Sequence, residues 1–274
     1  MTTSPRQIAT ENEHIADTGS YTANDGTTVD ITAALAAAAA GTISYTPEGD
    51  VTGGPRGPFT GIPETTAEGS IQAARRLHAD GGKAIAVLNF ASARNPGGGY
   101  LRGARAQEED LCRSALLYRC LLEAPDYYAA HRASDDLRYS HRVIYSPGVP
   151  VIRDDRNALD PRPFPVSFLT SPAPNAGALA NHSGRPVPVA EILVERADRV
   201  LAVAARHGVR ELVLGAWGCG VFRNDPHEVA EAFEQALQNH GAAFERVVFA
   251  VWDRSPVSAN RAAFEARFGK TPVF

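Results

Sequence analysis

Two apolar runs in this chain each end in a glycine-rich turn that leads straight into helix-like sequence. The first, KAIAVLNFA, is followed by SARNPGGG; the second, RELVLGAWG, is followed by CGVFRNDP. Apolar runs of this length, bounded by turn residues, read as strands buried on both faces, and such strands occur in sheets covered by helices on either side. That pattern directs the chain to a layered α/β fold.

The flanking segments keep the same rhythm. TTAEGSIQAARRLHADGG, QEEDLCRSALLYRCLLEA, PVAEILVERADRVLAVAARHG, PHEVAEAFEQALQNHG and SANRAAFEARFG each read as one helix. RVIYSPGVPVIRD, FPVSFLTS and FERVVFAVWD read as strands. Asn224 or Asp225 caps the helix that opens at Pro226. Segment 154–188, rich in Pro, Asn and Gly, is either a long functional loop or a disordered stretch. No fixed-period repeat is present.

Upstream, SPRQIATENEHIA starts a helix with Ser4 as cap and Pro5 in its first turn. TVDITAALAAAAAG moves from a strand-like start into a helix stopped by Gly41, and TISYT is a short strand. PEGDVTGGPRGPFTGIPE is a loop. Residues 1–62 are therefore expected to form an N-terminal extension packed on a core of 63–274.

A formal charge of -4 argues against a duplex nucleic-acid surface, although backbone N–H groups can still bind an anionic small ligand. Cys112, Cys120 and Cys219 are odd in number and form no C-x-x-C pair, which argues against a disulfide framework and a zinc site. The polar start MTTSPRQIATENEHI has no signal-peptide core, and no apolar run is long enough to span a bilayer. A cytoplasmic protein with reduced cysteines, away from membranes, is expected.

Two glycine loops at strand ends suit a pyrophosphate clamp, because glycine allows close backbone approach and N–H groups that point one way. Neither loop is a Walker motif, and GCGVFR lacks the third glycine of a dinucleotide fingerprint, which disfavours a nicotinamide-dependent oxidoreductase. Seven residues after Gly97, Gly98 and Gly99 come Gln107, Glu108 and Glu109, at a helix start. Acidic residues there also suit the helix dipole. Adjacent helical residues diverge by about 100°, so the pair is not the usual two carboxylates on opposite sides of a glycosidic bond. One carboxyl can protonate a leaving oxygen and then activate water, while the other holds a sugar hydroxyl.

The triple glycine, the seven-residue spacer and Gln107-Glu108-Glu109, together with GCGVF (Gly218 to Phe222) and VLNFA, resemble the bacterial-type poly(ADP-ribose) glycohydrolases. The resemblance runs from about residue 60 to the C-terminus, with a family-like helical extension before it. It implies a three-layer α/β/α macrodomain with a mixed central sheet. It also implies exo-type hydrolysis of ribose–ribose bonds, with no metal and no cofactor. Glu109 is then the general acid and base, Glu108 the partner of ribose hydroxyls, and Gln107 their support. Gly97 to Gly99 and Gly218, Cys219, Gly220 and Val221 cradle the diphosphate, and Phe222 aligns the terminal ribose.

Adenine contacts are expected among Asn89, Phe90, Asp253 and the Glu64-Thr65-Thr66 turn. Asn95 either touches ribose or initiates the turn with Pro96. For Phe222 and Trp252 a core role stays open, and for Cys219 small size is explanation enough. His182 and His207 fit surface or helix-end roles, and Arg75 to His78 a solvated helix face. The expected partners are poly(ADP-ribose) or ADP-ribose and ADP-ribosylated proteins, with the chain a monomer. A mono-ADP-ribose hydrolase and a non-catalytic ADP-ribose reader are the alternatives.

Overall fold

The structure, a computed structural model, describes residues 3–185 and 187–269. Helix α1 (Pro5–Thr18) leads to a small hairpin, β1 (Ser20–Thr22) and β2 (Thr28–Asp30), and to α2 (Thr32–Ala40) and β3 (Ile43–Tyr45). Then follow β4 (Glu64–Thr66), α3 (Ser70–Ala79), β5 (Ile85–Phe90), α4 (Gln107–Ser114), α5 (Leu117–Leu121) and α6 (Pro125–Arg132). The remainder is β6 (Val143–Arg153), β7 (Leu159–Ser171), α7 (Ala176–Ser183), α8 (Ala190–Arg206), β8 (Glu211–Leu214), α9 (Pro226–His240), β9 (Arg246–Ala250) and α10 (Ala259–Phe268).

The main sheet has seven strands in the order β3-β6-β7-β5-β8-β9-β4. From β7 through β5, β8 and β9 to β4 the neighbours are parallel; β6 runs antiparallel to both β7 and β3. Period-two alternation sends the side chains of β5 to two cores. Ile85 and Val87 join residues of α1 to α6, such as Ala9, Leu35, Leu77, Leu111, Leu117 and Tyr127. Ala86 and Leu88 join residues of α8, α9 and α10, such as Leu193, Phe233 and Phe264. The result is the expected three-layer α/β/α arrangement around a mixed sheet.

Local chemistry sets the helix starts. Ser4 and Gln7 form a reciprocal capping box with Pro5 in the first turn. Asp225, rather than Asn224, caps α9 by accepting from the His227 N–H; Asn224 instead donates its amide to the Pro174 carbonyl at 2.9 Å.

Several expectations need correction. The single helix over 107–124 is two, α4 and α5. Between them Ala115 is extended and bridges Val151, and the Leu116 N–H donates to the Pro150 carbonyl. Pairing with the sheet outweighs the helical preference of alanine there. Segment 154–188 is neither long loop nor disordered: β7 begins at Leu159, and α7 follows it. The Glu64-Thr65-Thr66 segment is a parallel edge strand, not a turn. Helix α6 carried no separate signal. Before residue 63 the chain both packs on the core and supplies β3 to one edge of its sheet.

Candidate active site

Strands β5 and β8 are parallel neighbours, so the loops leaving their carboxyl ends lie side by side, where ligands of such sheets bind. In the first loop Gly97 and Gly98 have φ of 63° and 59°, the left-handed region that glycine enters without a Cβ penalty. Asn95 initiates the turn: its N–H donates to Ser92 Oγ and its carbonyl accepts from the Gly98 N–H.

The two glutamates start α4. Glu108 is 3 % exposed and Glu109 7 %. Glu109 Oε1 accepts the Gly99 N–H at 2.7 Å, and its Oε2 accepts the Ala106 N–H at 2.9 Å. Glu108 Oε2 accepts the Ser92 N–H at 2.7 Å, and Oε1 accepts the Asn89 amide at 3.2 Å. The Gly97 N–H also bonds to Glu108. A Cβ on Gly98 would lie 2.5 Å from Glu109 Oε1 and 3.0 Å from Glu108 Oε2. The side chains, although rooted on diverging faces of the first turn, bend back so that both carboxylates converge beside Gly98.

Burial pushes the Glu108 carboxyl up to about 8, against the Ser92 N–H and the Asn89 amide, which pull it down; the Glu109 carboxylate adds a smaller upward push. The Tyr127 and Tyr128 hydroxyls are buried and have no hydrogen-bond partner among the described residues. Both phenols are held well above their ordinary value, first by burial and then by the charge of Glu108.

Gln107 ties this turn to the sheet. Its Oε1 accepts the Phe90 N–H at 2.9 Å, and its Nε2 donates to the Leu88 carbonyl at 2.8 Å and to Ser70 Oγ at 3.1 Å. Asn89, expected to contact substrate, is fully buried and donates to Glu108 and Thr170 instead. It holds Glu108 in place and offers no surface to an adenine. Ser92 and Thr170 carried no separate signal in the sequence, because one acts through its backbone and the other arrives from β7.

All three N–H groups of the triple glycine are thus bonded within the chain: Gly97 to Glu108, Gly98 to Asn95 and Gly99 to Glu109. The second loop differs. Among the described residues, the backbone N–H groups of Gly220, Val221 and Phe222 make no hydrogen bond. A Cβ on Gly220 would meet nothing within 4 Å, and Val221 is 84 % exposed. Below it the loop is anchored: a Cβ on Gly218 (φ 72°) would strike the Asn224 amide at 2.3 Å and Ala173 at 2.5 Å, and the buried Trp217 donates to the Ser171 carbonyl. Burial pushes the Cys219 thiol up to about 12, which leaves it inert at neutral pH. Phe222 is half-buried and lies 6.1 Å from the Tyr139 ring.

Trp252 is 60 % exposed just beyond β9, so the core role held open for it is not realised. Phe90 is half-buried at the end of β5, and Asp253 accepts the Ser255 N–H. His207 ends α8, stacked 3.7 Å from Tyr145. Among the described residues no group of three or more His, Cys, Asp or Glu is placed to hold a metal ion, and no helix is long and apolar enough to cross a membrane.

Residues 9–154 match the family model described as microbial-type PARG, catalytic domain. The crystal structure of poly(ADP-ribose) glycohydrolase from Thermomonospora curvata is 47 % identical, covers 96 % of this chain and 99 % of its own, and superposes with a TM-score of 0.89. The same enzyme bound to the inhibitor ADP-HPD gives 0.88 at 47 % identity, with 96 % and 99 % covered. The poly(ADP-ribose) glycohydrolase of Deinococcus radiodurans in complex with ADP-ribose is 47 % identical over 85 % of this chain and 96 % of its own, with a TM-score of 0.78. Among curated proteins nothing matches.

Proposed function

Since this chain belongs to the microbial-type poly(ADP-ribose) glycohydrolases, glycoside hydrolases acting on poly(ADP-ribose), we propose that it releases ADP-ribose from polymer ends with Glu109 as general acid and then base. The observation that carries this reading is the convergence of Glu108 and Glu109 beside Gly98, next to a loop whose N–H groups are unspent.

The ribose–ribose bond breaks as a proton passes to the leaving oxygen and the anomeric carbon gains oxocarbenium character. The same carboxylate then takes a proton from the attacking water. Glu109 is fixed for both tasks by the Gly99 and Ala106 N–H groups. Glu108 keeps a proton near neutral pH because of its burial, which suits it to hydrogen-bond ribose hydroxyls. The diphosphate is assigned to the N–H groups of Gly220, Val221 and Phe222, a nest at the carboxyl end of β8. The triple glycine contributes close approach and the setting of both glutamates. Phe222 lies against the terminal ribose, and Trp252 offers an exposed ring to the base.

A second reading has one observation in its favour. Glu108 is the carboxyl that burial keeps protonated, so it could itself be the donor. Glu109→Gln and Glu108→Gln, compared on single-turnover release, separate the two.

Chains attached to proteins as substrates, a monomeric state and action in the cytoplasm belong to the same proposal. The test is incubation of the purified protein with poly(ADP-ribose) in chelator, beside Glu109→Gln. Release of ADP-ribose by the wild type alone is expected; equal release by the variant would remove Glu109 from the mechanism.

A further inference from the structure

Four non-glycine residues among those described have a left-handed φ: Ala84, Tyr139, Asn157 and Arg223. Asn157 lies in the turn between β6 and β7, where asparagine tolerates that conformation. Tyr139 and Arg223 have no such excuse, and both flank Phe222. Arg223 (φ 56°) follows it directly, and Tyr139 (φ 58°) packs its ring 6.1 Å away. Such conformations cost energy and persist only where their surroundings over-determine them.

The surroundings do so here. The Tyr139 N–H donates to the Asp136 carbonyl. Arg196, fully buried, donates to the carbonyls of Arg138 at 2.8 Å, Tyr139 at 3.2 Å and Pro172 at 2.7 Å. Arg223 is held by its N–H on the Gly220 carbonyl, and its stem lies over Gly177, where a Cβ would stand 3.0 Å from Arg223 Cδ. Its guanidinium, exposed, makes no hydrogen bond or ion pair among the described residues. An aromatic ring and an unspent cation are thereby fixed on either side of Phe222.

We infer that Tyr139 and Arg223 form a subsite for the second ADP-ribose unit of the polymer, the one that leaves at the cut. This inference rests on the glycohydrolase reading, in which Phe222 borders the ribose whose bond is broken. Beyond that bond the substrate presents an adenosine and a diphosphate. A half-exposed tyrosine ring stacks a base, and a guanidinium forks onto a phosphate. The terminal unit, held by the nest and the glutamates, needs neither.

The test uses Arg223→Gly, Arg223→Lys and Tyr139→Leu in the full chain, with poly(ADP-ribose) as substrate and ADP-ribose as ligand. Glycine removes the cation and relieves the strained φ, so the melting temperature should hold or rise. KM on the polymer should rise about five- to tenfold, more than kcat changes, as expected for loss of one charge-assisted contact. ADP-ribose affinity should stay put, and Arg223→Lys should recover part of the loss. Tyr139→Leu should raise KM in the same way. An unchanged polymer KM in Arg223→Gly and Tyr139→Leu, or an equal loss of ADP-ribose affinity, would overturn the subsite while leaving the glycohydrolase intact. A wild type that releases no ADP-ribose would end both.

Discussion

Gly98 faces the Glu109 carboxylate so closely that a Cβ on it would stand 2.5 Å from Oε1. With φ at 59°, the position is also strained for any L side chain. Gly98→Ala must therefore displace the carboxylate, the backbone or both. Displacements near 1 Å cost about a hundredfold in rate, so a fall of roughly that size in kcat is expected. ADP-ribose affinity, measured by calorimetry, should fall much less. A variant with wild-type kcat would show that the glycine does not set the glutamate.

Glu109→Gln keeps the shape and removes the transferable proton. Turnover should drop by about 10²- to 10⁴-fold, the usual worth of a general acid or base. ADP-ribose binding should survive, because the group acts only at the broken bond. Rapid-quench assays over several pH values would read both numbers. A variant that loses binding as steeply as turnover would make Glu109 a ligand contact and nothing more.

Glu108 should make stability pH-dependent, with a sign opposite to that of a salt-bridged carboxylate. Its folded value, about 8, lies above the ordinary 4.5. Below 4.5 both folded and unfolded chains carry the proton, and the group contributes no penalty. As pH rises from 4.5 toward 8, the unfolded chain releases it and the folded chain does not. Stability from this group then falls by up to about 1.4 kcal/mol per pH unit, and levels off once the folded form also ionises. Urea midpoints for wild type and Glu108→Gln should diverge across that window in favour of the variant. Parallel curves would mean that Glu108 is already ionised in the folded protein.

Asn12 connects the first helix to the helix that bears the glutamates. It is fully buried; its amide donates to the Cys112 and Arg113 carbonyls, and its Oδ1 accepts Arg153 Nε at 2.8 Å. Asn12→Leu strands those groups, for an expected loss of roughly 2–4 kcal/mol. Because the two carbonyls belong to α4, kcat should fall as well. Denaturation and activity measured together would check this; a stable variant with full activity would sever the supposed link.

The sequence disclosed what local patterns can carry. Strands β5 and β8 show as unbroken apolar runs because helices cover both faces. The triple glycine and Gln107-Glu108-Glu109 show as a spacing because one short loop joins them. The break at Ala115 is invisible, since alanine favours helix and only the distant Val151 makes it extended. The first half of β7 is hidden by Pro161, Pro163 and Pro165. These are tolerated because β5 pairs β7 only over 167–171, which leaves the earlier residues bonded to β6 on one side. In the site, Asn89 was noticed for its place at a strand end, yet its partner Glu108 depends on how α4 returns to the sheet. The unspent N–H groups of the second loop are a property of backbone direction, which residue names do not record.

Both margins of the main sheet, β3 and β4, are strands of three residues. β3 comes from the segment before residue 63, and it shields β6, which is eleven residues long. A fragment cut at that boundary would bare a long row of unpaired peptide groups, ready to template another copy of itself. The leading segment therefore acts as a guard against intermolecular aggregation, and shortened versions of this enzyme should be judged first by whether they stay dispersed.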